Sequence, residues 1–261
     1  MGLENFKTLR DLREAIHLSA QRDEKRDQVK DARTYLRISH VNGKVVSLQT
    51  EIPNKPTLIA PAHFVRPVIT RFLATPGSIR ERLETVLSTS RETMTTTTLI
   101  TAKVPEVLPG RQIKWIVERD LDTRMGPFGL RDRQLQIDSI FTYNQIAVKA
   151  KFGMAEALVL NRGIASALRA GYNIGVYPEG RVRWQSSVFG WRMEQDHRSF
   201  AGVVKAAQRS GVQSQILPVG IGYHDGKFVL SFGDLISLEG NHRDIAQDTM
   251  KALKDLATSN S

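Results

Sequence analysis

The chain has 261 residues, of which 41% are apolar and 25% charged, enough for one large α/β domain with a helical appendage. It has no cysteine, which excludes disulfides and thiol chemistry and suits a reducing compartment. Its net charge of +10 lies before residue 200, since six basic residues balance six acidic ones from Ala201 onward; such a field favours anionic partners, whether a lipid surface, an acidic carrier protein, nucleotide phosphates or nucleic acid. With no zinc-finger spacing and no aromatic RNA-stacking motif, nucleic acid is the weakest of these.

In chain order, Met1-Gly-Leu-Glu-Asn-Phe-Lys7 is already charged and forms no secretory signal, which points to the cytoplasm. Leu3, Phe6, Leu9, Leu12 and Ile16 recur at helical spacing with Lys7, Arg10 and Arg13 elsewhere. This predicts a basic amphipathic helix that either lies on an anionic membrane or packs on the main domain. Residues 21–36 alternate in charge and read as an exposed helix. Leu36–Leu48 reads as a strand pair turning at Val41-Asn-Gly-Lys44, and Glu51–Pro56 breaks structure. These features predict residues 1–50 as an N-terminal helical segment with a hairpin, and 51–261 as the main domain.

Thr57-Leu-Ile-Ala-Pro-Ala-His63 is an apolar strand ending on a histidine. The Thr-rich stretch Thr85–Thr98 is open between helix and loop. Ile113–Glu118 reads as a strand and Gly126–Leu130 as a loop. Ala157-Leu-Val-Leu-Asn-Arg-Gly163 reads as a strand ending on Arg162, followed by a short helix, Ile164–Ala170, closed by Gly171. Ile216–Gly222 reads as a strand holding Pro218, and Asp244–Ala257 as a final amphipathic helix. No stretch approaches the ~20 apolar residues needed to cross a bilayer; the best, Thr57–Ile69, contains His63 and Arg66.

The most informative stretch is Ile174-Gly-Val-Tyr-Pro-Glu-Gly-Arg-Val-Arg183, a buried strand breaking into a polar corner. Gly180 admits a ligand close to the backbone, and Arg181 and Arg183 offer forked donors suited to phosphate. Three strand-like runs thus end on His63, Arg162 and the Glu179 corner, and ligands bind at the carboxyl edge of open α/β sheets.

Over roughly residues 50–236 the chain resembles the glycerophospholipid acyltransferases, including the 1-acylglycerol-3-phosphate acyltransferases. The family's blocks are matched in order by Ala62-His63, Leu160-Asn-Arg162, Tyr177-Pro-Glu-Gly180 and Leu217-Pro-Val219. The resemblance implies an α/β fold, a mixed sheet flanked by helices. It also implies fatty acyl transfer from acyl-CoA or acyl carrier protein to a phosphorylated glycerol or lysophospholipid hydroxyl, with no metal or cofactor, at a peripheral membrane site in the cytoplasm. His63 is then the base, and Arg162, Glu179, Gly180 and Arg181, with Arg183 second to them, hold the acceptor. One departure stands out: Val68 occupies the position where the family pattern has the aspartate that orients the histidine. The same residues therefore also suit a catalytically lapsed relative that binds phospholipid or acyl carrier protein, unless Glu118, Asp120 or Asp138 substitutes.

Overall fold

The structure, a computed structural model, describes residues 6–47, 54–62, 78–79, 89–118, 134–135, 137–148, 154–179, 198–225 and 227–259. In chain order these form α1 (Leu9–Gln21), α2 (Gln28–Ile38), β1 (Gly43–Ser47), β2 (Thr57–Pro61), α3 (Thr89–Val107), β3 (Ile113–Glu118), β4 (Ile146–Val148), α4 (Met154–Arg169), β5 (Asn173–Gly175), α5 (Arg198–Arg209), β6 (Gln215–His224), β7 (Lys227–Phe232), β8 (Ile236–Ser237) and α6 (His242–Ser259).

Among the described residues the strands form one mixed sheet, in the order β1-β7-β6-β2-β5-β3-β4, with β8 pairing to β6. Strands β2 to β6 run parallel, while β7 and β8 lie antiparallel to β6. Every residue of β2 is buried, because helices cover both sides of the sheet. Leu58 and Ala60 point into a core shared with Ile164, Leu168, Phe200, Val204 and Ala246 from α4, α5 and α6. Ile59 points the other way, into a core shared with Leu36 of α2 and Leu99, Ile100 and Val104 of α3. Alternate residues of one strand thus feed two cores, and the α/β class expected from the sequence is what forms.

The N-terminal helices belong to this body. Thr8 and Asp11 cap α1 reciprocally, with Asp11 N donating to Thr8 Oγ1 at 3.2 Å and Thr8 N to Asp11 Oδ2 at 2.9 Å. Leu12 and Ile16 are buried, so the described part of this helix packs rather than presenting its apolar side to solvent.

Two local expectations are overturned. The strand pair across Leu36–Leu48 does not form: residues up to Ile38 are helical, and β1 pairs in parallel with β7, Gly43 opposite Phe228. Asn42-Gly43 is not a turn. A Cβ on Gly43 would collide with the end of the buried Leu99 side chain, so a larger residue there obliges that leucine of α3 to move. The second is Ala157–Gly163, which lies inside α4. Its apolar residues looked continuous because part of the helix's solvent side is apolar as well.

Proline in the central strand β6 also has a cause. Pro218 O accepts from Gly233 N at 3.0 Å, so the missing donor of Pro218 faces the same side. On that side β6 changes partner, from β8 at Gln215–Ile216 to β7 from Val219 onward, and no ladder bond is lost.

Candidate active site at the carboxyl edge of the sheet

Strands β2 and β5 are hydrogen-bonded neighbours running in the same direction, Leu58 opposite Ile174 and Ile59 opposite Gly175. The pairing continues past β5, where Val176 N donates to Ile59 O at 3.0 Å. On the other flank of β2, Ala62 N donates to Val219 O at 2.9 Å. Two blocks more than a hundred residues apart in sequence therefore emerge side by side at the carboxyl edge. One is the strand leading into His63, the other the strand leading into Tyr177-Pro-Glu179.

The Glu179 corner is held from beneath. Tyr177 stacks on Trp115, with ring centroids 5.8 Å apart and planes inclined by 24°. Its hydroxyl lies 2.7 Å from Thr97 Oγ1 and 3.5 Å from Thr96 Oγ1. Trp115 Nε1 donates to Thr101 Oγ1 at 3.0 Å, and Thr101 Oγ1 in turn donates to Thr97 O at 2.8 Å. Thr96, Thr97 and Thr101 of α3 thus turn their hydroxyls toward the two rings under the corner, while Thr95 Oγ1 lies 3.4 Å from the Tyr35 hydroxyl. Burial pushes the Tyr177 phenol up to about 12, the two threonine contacts pull it down, and the Glu179 charge adds to the rise. Tyr177 is a neutral phenol at working pH. Pro178 is buried beside it and Glu179 is half-buried.

The other expected residues divide. His63, Val68, Gly180, Arg181 and Arg183 lie outside the described residues, as do Asp120 and the side chain of Glu118. Arg162 is exposed on α4, about 12 Å along the axis from Met154 at 1.5 Å per residue, not at a strand end. Asp138, a possible substitute for the missing aspartate, is engaged elsewhere: His17 Nδ1 lies 2.9 Å from its Oδ2, and Gln134 Nε2 donates to its Oδ1 at 2.8 Å. His17, which reads as an ordinary surface residue, is instead one end of a tether between α1 and the helical segment at 137–142.

The topology points to residues that the sequence reading passed over. Strand β4 is parallel to β3 and ends at Val148, and the chain continues in sequence as Lys149-Ala-Lys151. Strand β3 likewise continues as Arg119-Asp120. The signal was weak because β4 has only 3 residues. Among the described residues there is no group of three or more His, Asp or Glu side chains that could hold a metal ion, and no helix is long and apolar enough to cross a membrane.

Fold and edge define an α/β protein with a candidate site where its parallel strands end. No family model and no curated protein matches the sequence. Among solved structures, the 1-acyl-sn-glycerophosphate (LPA) acyltransferase PlsC from Thermotoga maritima is similar at a TM-score of 0.47 and 12% identity, over 96% of this chain and 95% of that one.

Proposed function

We propose that the chain is an O-acyltransferase that moves a fatty acyl group from a coenzyme A or acyl carrier protein thioester to a hydroxyl of a phosphorylated glycerol or lysophospholipid. The observation that carries this reading is the parallel pairing of β2 with β5, the two strands that lead in sequence to the histidine block and the Pro-Glu-Gly block. His63 takes the acceptor's hydroxyl proton as its oxygen attacks the thioester carbonyl. Collapse of the tetrahedral adduct expels the thiolate, which recovers the proton from the imidazolium. Glu179, Gly180 and Arg181 position the acceptor, with Arg183 and the basic residues after β3 and β4 adding positive charge for its phosphate. Arg162, exposed on α4, has a more distant part in this reading, in attraction of the anionic acceptor rather than its grip.

A second reading, a lapsed relative that binds phospholipid or acyl carrier protein without turnover, is favoured by Val68 together with the engagement of Asp138 by His17 and Gln134. Transfer assays with several acyl donors and phosphorylated acceptors separate the two. His63→Ala is expected to lower turnover about 10²–10⁴-fold while leaving the fold intact. Undiminished transfer in that variant removes His63 as the base. Absence of transfer in the wild type, with transfer gained in Val68→Asp, establishes the lapsed reading.

A further inference from the structure

Helix α4 has an apolar patch on its outer side. Leu160, Ile164, Ala167 and Leu168 are buried against the sheet and α5. Opposite them, Met154 is 85% exposed, Leu158 54% and Val159 63%. At positions i, i+4 and i+5 these three share one side of the first two turns. The same side continues through exposed Arg162, Ser166 and Arg169, whose Nε donates to Ser210 O at 3.0 Å, and the helix's single acidic residue, Glu156, is half-buried and turned away from that side. The other large exposed apolar residues among those described are Leu18, Val46, Ile79 and Phe141, no two of them on the same element. Single exposed residues need no explanation, whereas a group of three on one helical face does.

The position of the patch follows from the topology. Because β4 runs parallel to β3, β5 and β2, the chain leaves it at the carboxyl edge and α4 starts there. The apolar turns therefore sit at the edge where β2 and β5 end, and the arginines follow as the helix runs back along the sheet.

We propose that this face of α4 docks on an anionic lipid bilayer, with Met154, Leu158 and Val159 entering the acyl region and Arg162 meeting lipid phosphates. A second copy of the chain fits less well. A symmetric contact would bring Arg162 and Arg169 of two chains together, each chain carrying a net charge of +10. The patch, on the order of 400 Å², also falls well short of the roughly 800 Å² per partner of a stable protein interface. An interfacial helix with large apolar residues and arginines matches a surface of negative headgroups over hydrocarbon. The docking rests on the face alone. Only its use, turning the carboxyl edge toward a lipid acceptor, rests on the proposed acyl transfer.

The test is co-sedimentation with phosphatidylcholine vesicles, with and without phosphatidylglycerol, in the absence of any acyl donor. The chain is compared with a variant combining Met154→Ser, Leu158→Ser and Val159→Ser. The wild type is expected to bind the phosphatidylglycerol vesicles, with a fraction that survives raised salt. The triple variant, unchanged in circular dichroism and melting temperature, is expected to partition about tenfold more weakly and to be fully released by salt. Equal partition of the two proteins, or no binding by the wild type, overturns the proposal. A shift of the variant from dimer to monomer in solution also overturns it, by giving the face to a second copy. Failure of acyl transfer leaves the vesicle result standing, so the two readings fail separately.

Discussion

Tyr177 shows how much a single hydroxyl contributes to the candidate site. Its ring packs on Trp115, and its oxygen reaches Thr97 Oγ1 at 2.7 Å. With the phenol pushed up to about 12 from about 10 in the unfolded chain, the folded state holds the proton more tightly. The resulting stability is present below about pH 10 and is lost as pH climbs toward the folded value. Tyr177→Phe is expected to cost about 1 kcal/mol at neutral pH, where the Thr97 hydroxyl loses its partner. It should also remove a pH-dependent loss of order 3 kcal/mol between about pH 10 and 12. Urea unfolding of both proteins across that window measures the difference, and parallel pH curves would assign the phenol no linkage. Sequence alone made the Tyr-Pro-Glu-Gly corner visible but not its support, because Thr97 lies 80 positions away. The pairing of His17 with Asp138 was hidden in the same way, across 121 positions.

At the scale of elements, β2 and β6 were legible as apolar runs because both faces are buried, and α6 because its apolar residues recur at helical spacing. Misreadings arose where a residue had two possible uses. Asn42-Gly43 resembles a hairpin turn locally, but Gly43 serves contact with Leu99, which sequence proximity does not reveal. In α4 the apolar residues on both sides of the helix concealed the 3.6-residue period. Gly175 in β5 is a second close approach: a Cβ there would collide with the ring of Trp115. That ring has little room to yield, being buried, stacked on Tyr177 and bonded to Thr101. Gly175→Ala is expected to destabilise the protein by about 1–3 kcal/mol, and to weaken binding of a phosphorylated acceptor more than Gly233→Ala, where the close contact is the end of the Leu256 side chain. Chemical unfolding and acceptor titration of the two variants measure both effects.

For the whole molecule, the N-terminal helices are tied to the sheet body by buried charge as well as apolar packing. Asp31 is 4% exposed. It receives two bonds from Arg26, Nε to Oδ2 at 2.7 Å and Nη2 to Oδ1 at 3.0 Å, and a third from the Tyr143 hydroxyl at 2.9 Å. Desolvation and the Asp31 charge hold the Tyr143 phenol well above its ordinary range, so it remains a donor. Asp31→Ala leaves the largely buried Arg26 without its carboxylate and is expected to cost about 3 kcal/mol. Because α2 packs into the core that also holds Ile59 and Leu217, and β1 is a strand of the same sheet, the loss should appear in one cooperative transition. Calorimetry showing a separate early melt of the N-terminal helices would contradict that coupling. None of this tether was legible in sequence, since Asp31 reads there as one charge in an alternating run.

The brevity of β4 bears on how the protein behaves at high concentration. As the outermost strand beyond β3 it has only 3 residues, and lysines follow it in sequence at 149 and 151. A strand that short presents too few free amide and carbonyl groups to template an incoming chain, and neighbouring cations oppose a second copy of the same basic sequence. At the opposite margin β1 carries Lys44 exposed in its midst. Among the described residues both outer strands of the sheet are thus poor templates for strand addition, a feature that opposes fibrillar self-association in a protein with fully buried interior strands.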